Sequence, residues 1–390
     1  MSASARADPK VSVLVKAFNH AKYVRQTIDS VLAQSFQDFE IVVTDDGSTD
    51  GTLEVLRGFA DPRIRLEAFE HNQGISAAMN ATIARARGRY LAILNSDDWA
   101  LPGRLQRQVS FLDAHPDISL LFGLPMAVDE VGEPTTPFND FEVPLSFPDF
   151  SRRSWLRYFF FHDNCLCAPT AMIRREAYDA VGAYDRRLTN MQDYDMWIRM
   201  LIAGRAIHVL AEPLTAFRIR DNNANMSAPR QDTNLRVAFE KTRILNHFAE
   251  LDADVFDEVF GADAAEPAGA SVGLRLAELA LRVPGPEYQT FGLGLFYENA
   301  RETADFHRLR ELTGSIDAYG LVDVRRTGHL SADESKGVVK LQLKRLKRYL
   351  AARKHATMRR LAASGLAMAD RLPRPLRWAA RRTIKVISRL

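Results

Sequence analysis

Apolar residues along the first 125 positions of the chain alternate between two periods. Val11–Phe18 is a short, Val-rich apolar run, the mark of a buried strand. Val24, Ile28, Val31 and Leu32 then recur at i, i+4, i+7 and i+8, which is one face of a helix. Phe39–Thr44 reads as a second buried strand, ended by Asp45-Asp46-Gly47-Ser48, with Thr49 or Asp50 placed to cap a short helix. Arg63–Phe69 is predicted as a third strand. Ile75, Met79, Thr82, Ile83 and Ala86 mark the next helix, with Gly88 as its stop. Tyr90–Leu94 is a fourth strand, Pro102–Ala114 a helix with proline at its start, and Ile118–Phe122 a fifth strand. Strand–helix alternation with short connections predicts an α/β fold, a mostly parallel sheet between helices.

Alternation stops near Pro125. Glu130–Ser154 holds four prolines and several acids and reads as a surface loop or lid. Apolar character returns at Tyr158–Phe161 and Cys165–Ile173, and Tyr194–Ala203 is predicted helical. From Gln231 to Ala318 the pattern is helical, interrupted by an Ala-, Pro- and Gly-rich loop at Gly261–Gly269. The expected organisation is a disordered N-terminus over 1–9, an α/β domain over 10–230, a helical domain over 231–338 and a basic amphipathic tail over 339–390. The polar first ten residues read as no secretory signal, and no apolar run reaches the ~18–20 residues of a membrane span.

With 46% hydrophobic and 26% charged residues, the chain can bury a sizeable core, which excludes wholesale disorder. Cys165 and Cys167 cannot build a disulfide scaffold, and Cys-Leu-Cys lacks the second pair that a structural zinc needs, so a cytoplasmic location is expected. The net charge of +3 hides an asymmetry. Residues 339–390 carry 16 Lys or Arg against one acid, Asp370, so the rest of the chain is acidic. In that tail Lys340, Lys344, Arg345 and Lys347 alternate with Leu341, Leu343, Leu346 and Tyr349. Such segments suit an anionic membrane surface, at about 1 kcal/mol per basic residue, here the inner face of the cell membrane. Packing on the acidic body or on a partner is the competing reading. No nucleic-acid motif accompanies the charge.

In open parallel sheets ligands bind beyond the carboxyl ends of the strands. Asp45-Asp46 and Asn95-Ser96-Asp97-Asp98 fall at two such ends. Crowded carboxylates repel unless a cation or donor sits among them. Magnesium and manganese favour such oxygens and share them with diphosphates. Polar turn residues would look the same at one end, but two clusters at the ends of two strands favour a site. No glycine-rich phosphate loop and no nucleophile elbow is present. An acid-lined, metal-assisted site remains.

Together, Val11-Ser-Val-Leu-Val-Lys-Ala-Phe-Asn19, Tyr23, Asp29-Ser-Val-Leu-Ala-Gln34 and Ile41-Val-Val-Thr-Asp-Asp-Gly-Ser-Thr-Asp-Gly-Thr52 resemble family 2 glycosyltransferases. The resemblance continues through Asn72-Gln-Gly74, Ala78-Met-Asn80, Ala86-Arg-Gly88, Leu94-Asn-Ser-Asp-Asp-Trp99, Gly182-Ala-Tyr-Asp185 and Gln192-Asp-Tyr-Asp-Met-Trp-Ile-Arg199. It covers about residues 10–225 and implies a GT-A fold and an inverting sugar transfer from a nucleotide-diphosphate sugar. It places Phe18 beside the nucleobase, with Asn19, Asn72 and Asn80 around the donor nucleotide. Asp45 and Asp46 match the pair that meets base and ribose. An Asp there can accept the uracil N3–H, which favours a UDP donor. Asp97 matches the metal-binding acid, for Mn2+ or Mg2+, with Asp98 beside it. Asp193 matches the catalytic base, which takes the acceptor proton. Helix capping is the plain alternative for Asp193, with Thr189 or Asn190 as the cap.

Two departures follow. The family usually has Asp where this chain has Asn95, which keeps an oxygen ligand and removes a charge. The Q-x-x-R-W signature of processive synthases is absent, so a single-sugar transfer is expected, to a cell-envelope glycan or glycolipid. Arg218 and Arg220 are candidates for the diphosphate, against a solvated-loop reading, and Trp197 is either core or acceptor cleft. The competing function is a catalytically silent nucleotide-sugar-binding scaffold.

Overall fold

The computed structural model describes residues 8–136, 151–221, 224–226, 234–261, 263 and 271–300. The chain divides into two compact units, Met1–Val324 and Arg325–Leu390, and every described residue lies in the first. The expectations for residues 1–7 and for the tail 339–390 fall outside the described residues.

Strands β1 (Val11–Ala17), β2 (Phe39–Asp45), β3 (Ile64–Ala68) and β4 (Tyr90–Asn95) run parallel, with β1 between β2 and β4. Between them lie helices α1 (Val24–Leu32), α2 (Thr52–Arg57) and α3 (Ile75–Arg85), as the two periodicities predict. Strands β5 (Trp99–Ala100), β6 (Ile118–Val128), β7 (Met172–Arg174) and β8 (Ala206–Arg218) complete one eight-stranded sheet, in the order β3-β2-β1-β4-β7-β6-β8-β5. This second half is mixed. β7 is antiparallel to both β4 and β6, and β5 is antiparallel to β8.

Two expectations are corrected here, and one strand was not foreseen. The fifth strand does not stop at Phe122. It runs on through Pro125, where the register with β8 shifts because proline offers no N–H to the ladder. Strand β8 was not legible, since Glu212-Pro213 interrupts its apolar run. The stretch 130–154 is not all loop. Asp129 Oδ1 accepts the peptide N–H of Val131, Gly132 and Glu133, folding a tight turn, and helix α5 (Arg152–Phe161) starts on a Ser151 cap. Residues 137–150 lie outside the described residues.

Alternation along the strands builds two buried faces. Val11, Val13 and Val15 of β1 and Ile41 and Val43 of β2 pack with Val24, Ile28 and Val31 of α1 and with Leu105, Val109 and Leu112 of α4 (Arg104–Ala114). Leu14 and Val42 are equally buried on the other face, which α3 covers. Each such side chain contributes about 1.5–3 kcal/mol. Gly88 does not stop α3, which ends at Arg85. It is small because a Cβ there would strike the backbone of Val11 and Ser12.

The remaining helices are α6 (Arg175–Val181), α7 (Gln192–Ile202), α8 (Asn234–Leu245), α9 (Ala253–Phe260), α10 (Val272–Leu281) and α11 (Pro286–Asn299). They join the α/β layer through an aromatic cluster. Phe160 of α5 stacks edge-on with Phe248, Phe260 and Tyr288, and the Tyr288 hydroxyl donates to the Phe160 carbonyl.

Candidate active site

The polar residues singled out above gather beyond the carboxyl ends of β1, β2 and β4. The turn from β4 to β5 is gripped on several sides. Asp98 N–H donates to the Asn95 carbonyl at 3.2 Å, and Thr27 Oγ1 donates to the Asp98 carbonyl at 2.7 Å. The buried Asp98 carboxylate accepts the Arg218 N–H at 2.8 Å and Asn95 Nδ2 at 2.9 Å. Burial, and then Asp97 beside it, push its pKa well above the usual carboxylate range. Asp98 therefore braces the turn, and its oxygens are turned away from a ligand's role. Asp97 differs. Its carboxylate accepts no hydrogen bond from a described residue, and His20 Nε2 and Arg220 NH1 each stand 3.7 Å away.

Arg218 is not a diphosphate arm, nor a solvated loop residue. It is buried, and its guanidinium donates to the carbonyls of Asp97 and Glu130 and to Gln26 Oε1, between the rings of Tyr23 and Trp99. Every nitrogen is occupied. Arg220 is the less committed of the two: NH1 donates to His20 Nε2 at 2.8 Å, while Nε is buried without a partner. A guanidinium only donates, so His20 Nε2 accepts, and its Nδ1–H is left to donate to Ser96 Oγ at 2.7 Å. Burial lowers the His20 pKa, consistent with this neutral form.

At the carboxyl ends of β1 and β2, Phe18 is 41% exposed. Asn19 adopts a positive φ of 52° and ties two loops, its N–H donating to Ser48 Oγ and its Oδ1 accepting Thr49 N–H. Asp45 accepts the N–H and hydroxyl of Ser48, and Asp46 accepts the N–H groups of Gln73 and Gly74 at 2.7 and 3.0 Å. Gly47, at φ +72°, lets the loop pass against the His71–Asn72 backbone, which leaves Asn72 exposed. Asn80 uses both ends of its amide on the Tyr184 peptide, at 2.9 Å each. That pair fastens α3 to the segment before α7. Trp197 is fully buried, edge-on to Phe122 at 5.1 Å, and belongs to the core, not to an acceptor cleft.

Asp193 opens α7 as its second residue. Burial raises its pKa, and the positive charge of Lys16 opposes that shift. Neither Thr189 nor Asn190 caps this helix. Glu240 of α8 instead holds the segment leading into it, accepting the N–H groups of Thr189, Asn190 and Met191 at 3.0, 3.1 and 2.9 Å.

The Glycosyl transferase family 2 profile matches residues 12–182. An uncharacterized glycosyltransferase of Methanocaldococcus jannaschii is 32% identical over 220 residues, covering 55% of this chain and 73% of the relative. The chain belongs to glycosyl transferase family 2. The putative teichuronic acid biosynthesis glycosyltransferase TuaG of Bacillus subtilis is 30% identical over 217 residues, covering 55% of this glycosyltransferase and 81% of TuaG. Among solved structures, S. aureus TarS 1–349 in complex with UDP-GlcNAc aligns over 78% of this chain and 91% of its own, at a TM-score of 0.54 and 19% identity. This likeness carries the fold, a GT-A mixed sheet flanked by helices.

Family 2 enzymes commonly use a divalent cation. No group of three or more His, Cys, Asp or Glu among the described residues could hold a metal on protein ligands alone. Asp97, with its oxygens unfilled, fits a cation whose remaining ligands come from a diphosphate. Sequence reasoning missed Lys16, His20 and Glu240. Lys16 interrupts an apolar strand and carried that signal; Glu240 carried none.

Proposed function

We propose that this glycosyltransferase moves one sugar, with inversion, from a UDP-linked donor to a hydroxyl of a cell-envelope glycan or glycolipid. The single observation that carries this is the Asp97 carboxylate beyond the strand ends, accepting no hydrogen bond from a described residue and standing 3.7 Å from both His20 Nε2 and Arg220 NH1, in a chain of this family. The UDP-GlcNAc complex of TarS and the teichuronic acid name of TuaG support the donor and acceptor classes. Asp193 takes the proton of the acceptor hydroxyl as its oxygen attacks the anomeric carbon. Phe18, Asn19, Asp45, Asp46 and Asn72 border the nucleoside. A Mn2+ or Mg2+ ion on Asp97 would neutralise charge on the departing diphosphate.

In this reading residues 10–230 carry the transfer and the helices after 231 steady α7. No helix among the described residues is long and apolar enough to cross a membrane. The enzyme works in the cytoplasm, and residues 339–390 bring it to the anionic inner face of the membrane, which sedimentation with vesicles containing anionic lipid tests.

A thermal-shift screen of nucleotide sugars, with and without manganese, tests the donor. A UDP-sugar should raise the melting temperature more than GDP- or dTDP-sugars. No response to any nucleotide sugar overturns the proposal.

A further inference from the structure

Lys16 is the one basic residue of β1 and the last but one in that strand. Its Nζ donates to Asn95 Oδ1 at 2.7 Å, and the other end of that amide is fixed by Asp98. An ammonium has three N–H donors. Among the described residues Lys16 makes no second hydrogen bond and no ion pair, so two of the three donors have no protein acceptor there. Burial draws its pKa down, while Asp193, Asp97 and Asp98 draw it up, in that order. The charge feels three acids and is bonded to none of them.

That arrangement depends on Asn95. A carboxylate there would lock Lys16 in an ion pair and cancel its charge. The neutral amide orients the ammonium and leaves the charge unspoken for. Leaving N–H donors of a charged group unfilled in a partly buried site is costly, so an anionic ligand with several acceptor oxygens completes it. Arg218 cannot serve, since its nitrogens are occupied, and Arg220 stands across Asp97 beside His20.

We propose that Lys16 is a catalytic residue that grips the donor's diphosphate and takes up the charge developing on its departing oxygen. This rests on the transfer reaction proposed above. In that reaction the acceptor oxygen bonds to the anomeric carbon. The bond from that carbon to the β-phosphate oxygen breaks, its electron pair stays on the oxygen facing Lys16, and the acceptor proton passes to Asp193. Lys16 is a fixed cation on a rigid strand, so it needs no reorganisation as the charge forms.

The test is calorimetric binding of UDP, uridine and inorganic pyrophosphate to the full chain, in EDTA and in manganese, for wild type, Lys16→Met and Lys16→Arg. Lys16→Met should weaken UDP and pyrophosphate about tenfold or more, as loss of one charge-assisted hydrogen bond does, and leave uridine unchanged. The loss should be largest in EDTA, and Lys16→Arg should recover part of it. Unchanged UDP and pyrophosphate binding by a Lys16→Met protein that melts like wild type overturns the proposal. So does an equal loss for uridine, which would make Lys16 structural. Wild-type protein that binds none of the three overturns the donor reading itself, and this proposal with it.

Discussion

Asp193 shows how one carboxylate is tuned by its surroundings. Burial raises its pKa and Lys16 restrains the rise. A base must be ionised to act, so kcat/KM should fall as pH drops through a value above the usual aspartate pKa near 3.9. Lys16→Met should move that acid limb to higher pH, which a pH–rate profile reads directly. Asp193→Asn should lower kcat by ~10²–10⁴ while nucleotide binding persists. It should also raise the melting temperature by about 1–3 °C, because a raised folded-state pKa means that the ionised group disfavours folding at neutral pH. Differential scanning calorimetry beside the kinetic assay checks both. At this scale the sequence spoke clearly for acids in strand-end motifs and poorly for their partners. Arg218 and Arg220 are two residues apart in one segment, yet one is a buried brace and the other borders the cleft.

Helix α7 carries Asp193, the proposed base, and the segment leading into it is held by α8. Three peptide N–H groups converge on Glu240, and behind them Asp195 binds Arg199 and His247, both at 2.8 Å. Glu240→Gln keeps the size and loses the charge. It should cost about 1–3 kcal/mol and lower kcat several-fold with donor affinity unchanged, read by denaturant titration and by separate kcat and binding measurements. Gly88→Ala should cost about 1–3 kcal/mol by overpacking β4 against β1, with nucleotide binding retained in the folded fraction. The parallel half of the sheet was legible because β1, β2 and β4 are largely apolar runs, β3 alternates apolar and charged residues, and helices follow the first three strands. β7 and β8 were not. The three residues of β7, at the end of the Cys165–Ile173 run, give no period to read, and Pro213 splits the other strand.

For the described part of the molecule, acid should loosen the cleft in two stages. His20 has a folded-state pKa below its unfolded one, so its contribution is full above about 6.5 and fades as pH falls below that value. Glu130 is held down to about 2 by Lys22, first, and by the Tyr23 hydroxyl, and its N–H donor Asp221 ties the far loop to the same carboxylate. Its contribution is full above its usual pKa and is lost as pH falls toward about 2. A Glu130→Gln variant should therefore lose stability at neutral pH and show a flatter decline in acid, measured by urea midpoints across pH. The amino-acid sequence alone determined the strand–helix order, the acids at the strand ends and the family, because local periodicity and motif spacing are properties of neighbours along a chain. Only the tertiary structure decided which charges meet. Lys16 with Asn95, His20 with Arg220, and Glu240 with the start of α7 are pairs set 49 to 200 residues apart, brought together by sheet order and helix packing that no local pattern encodes.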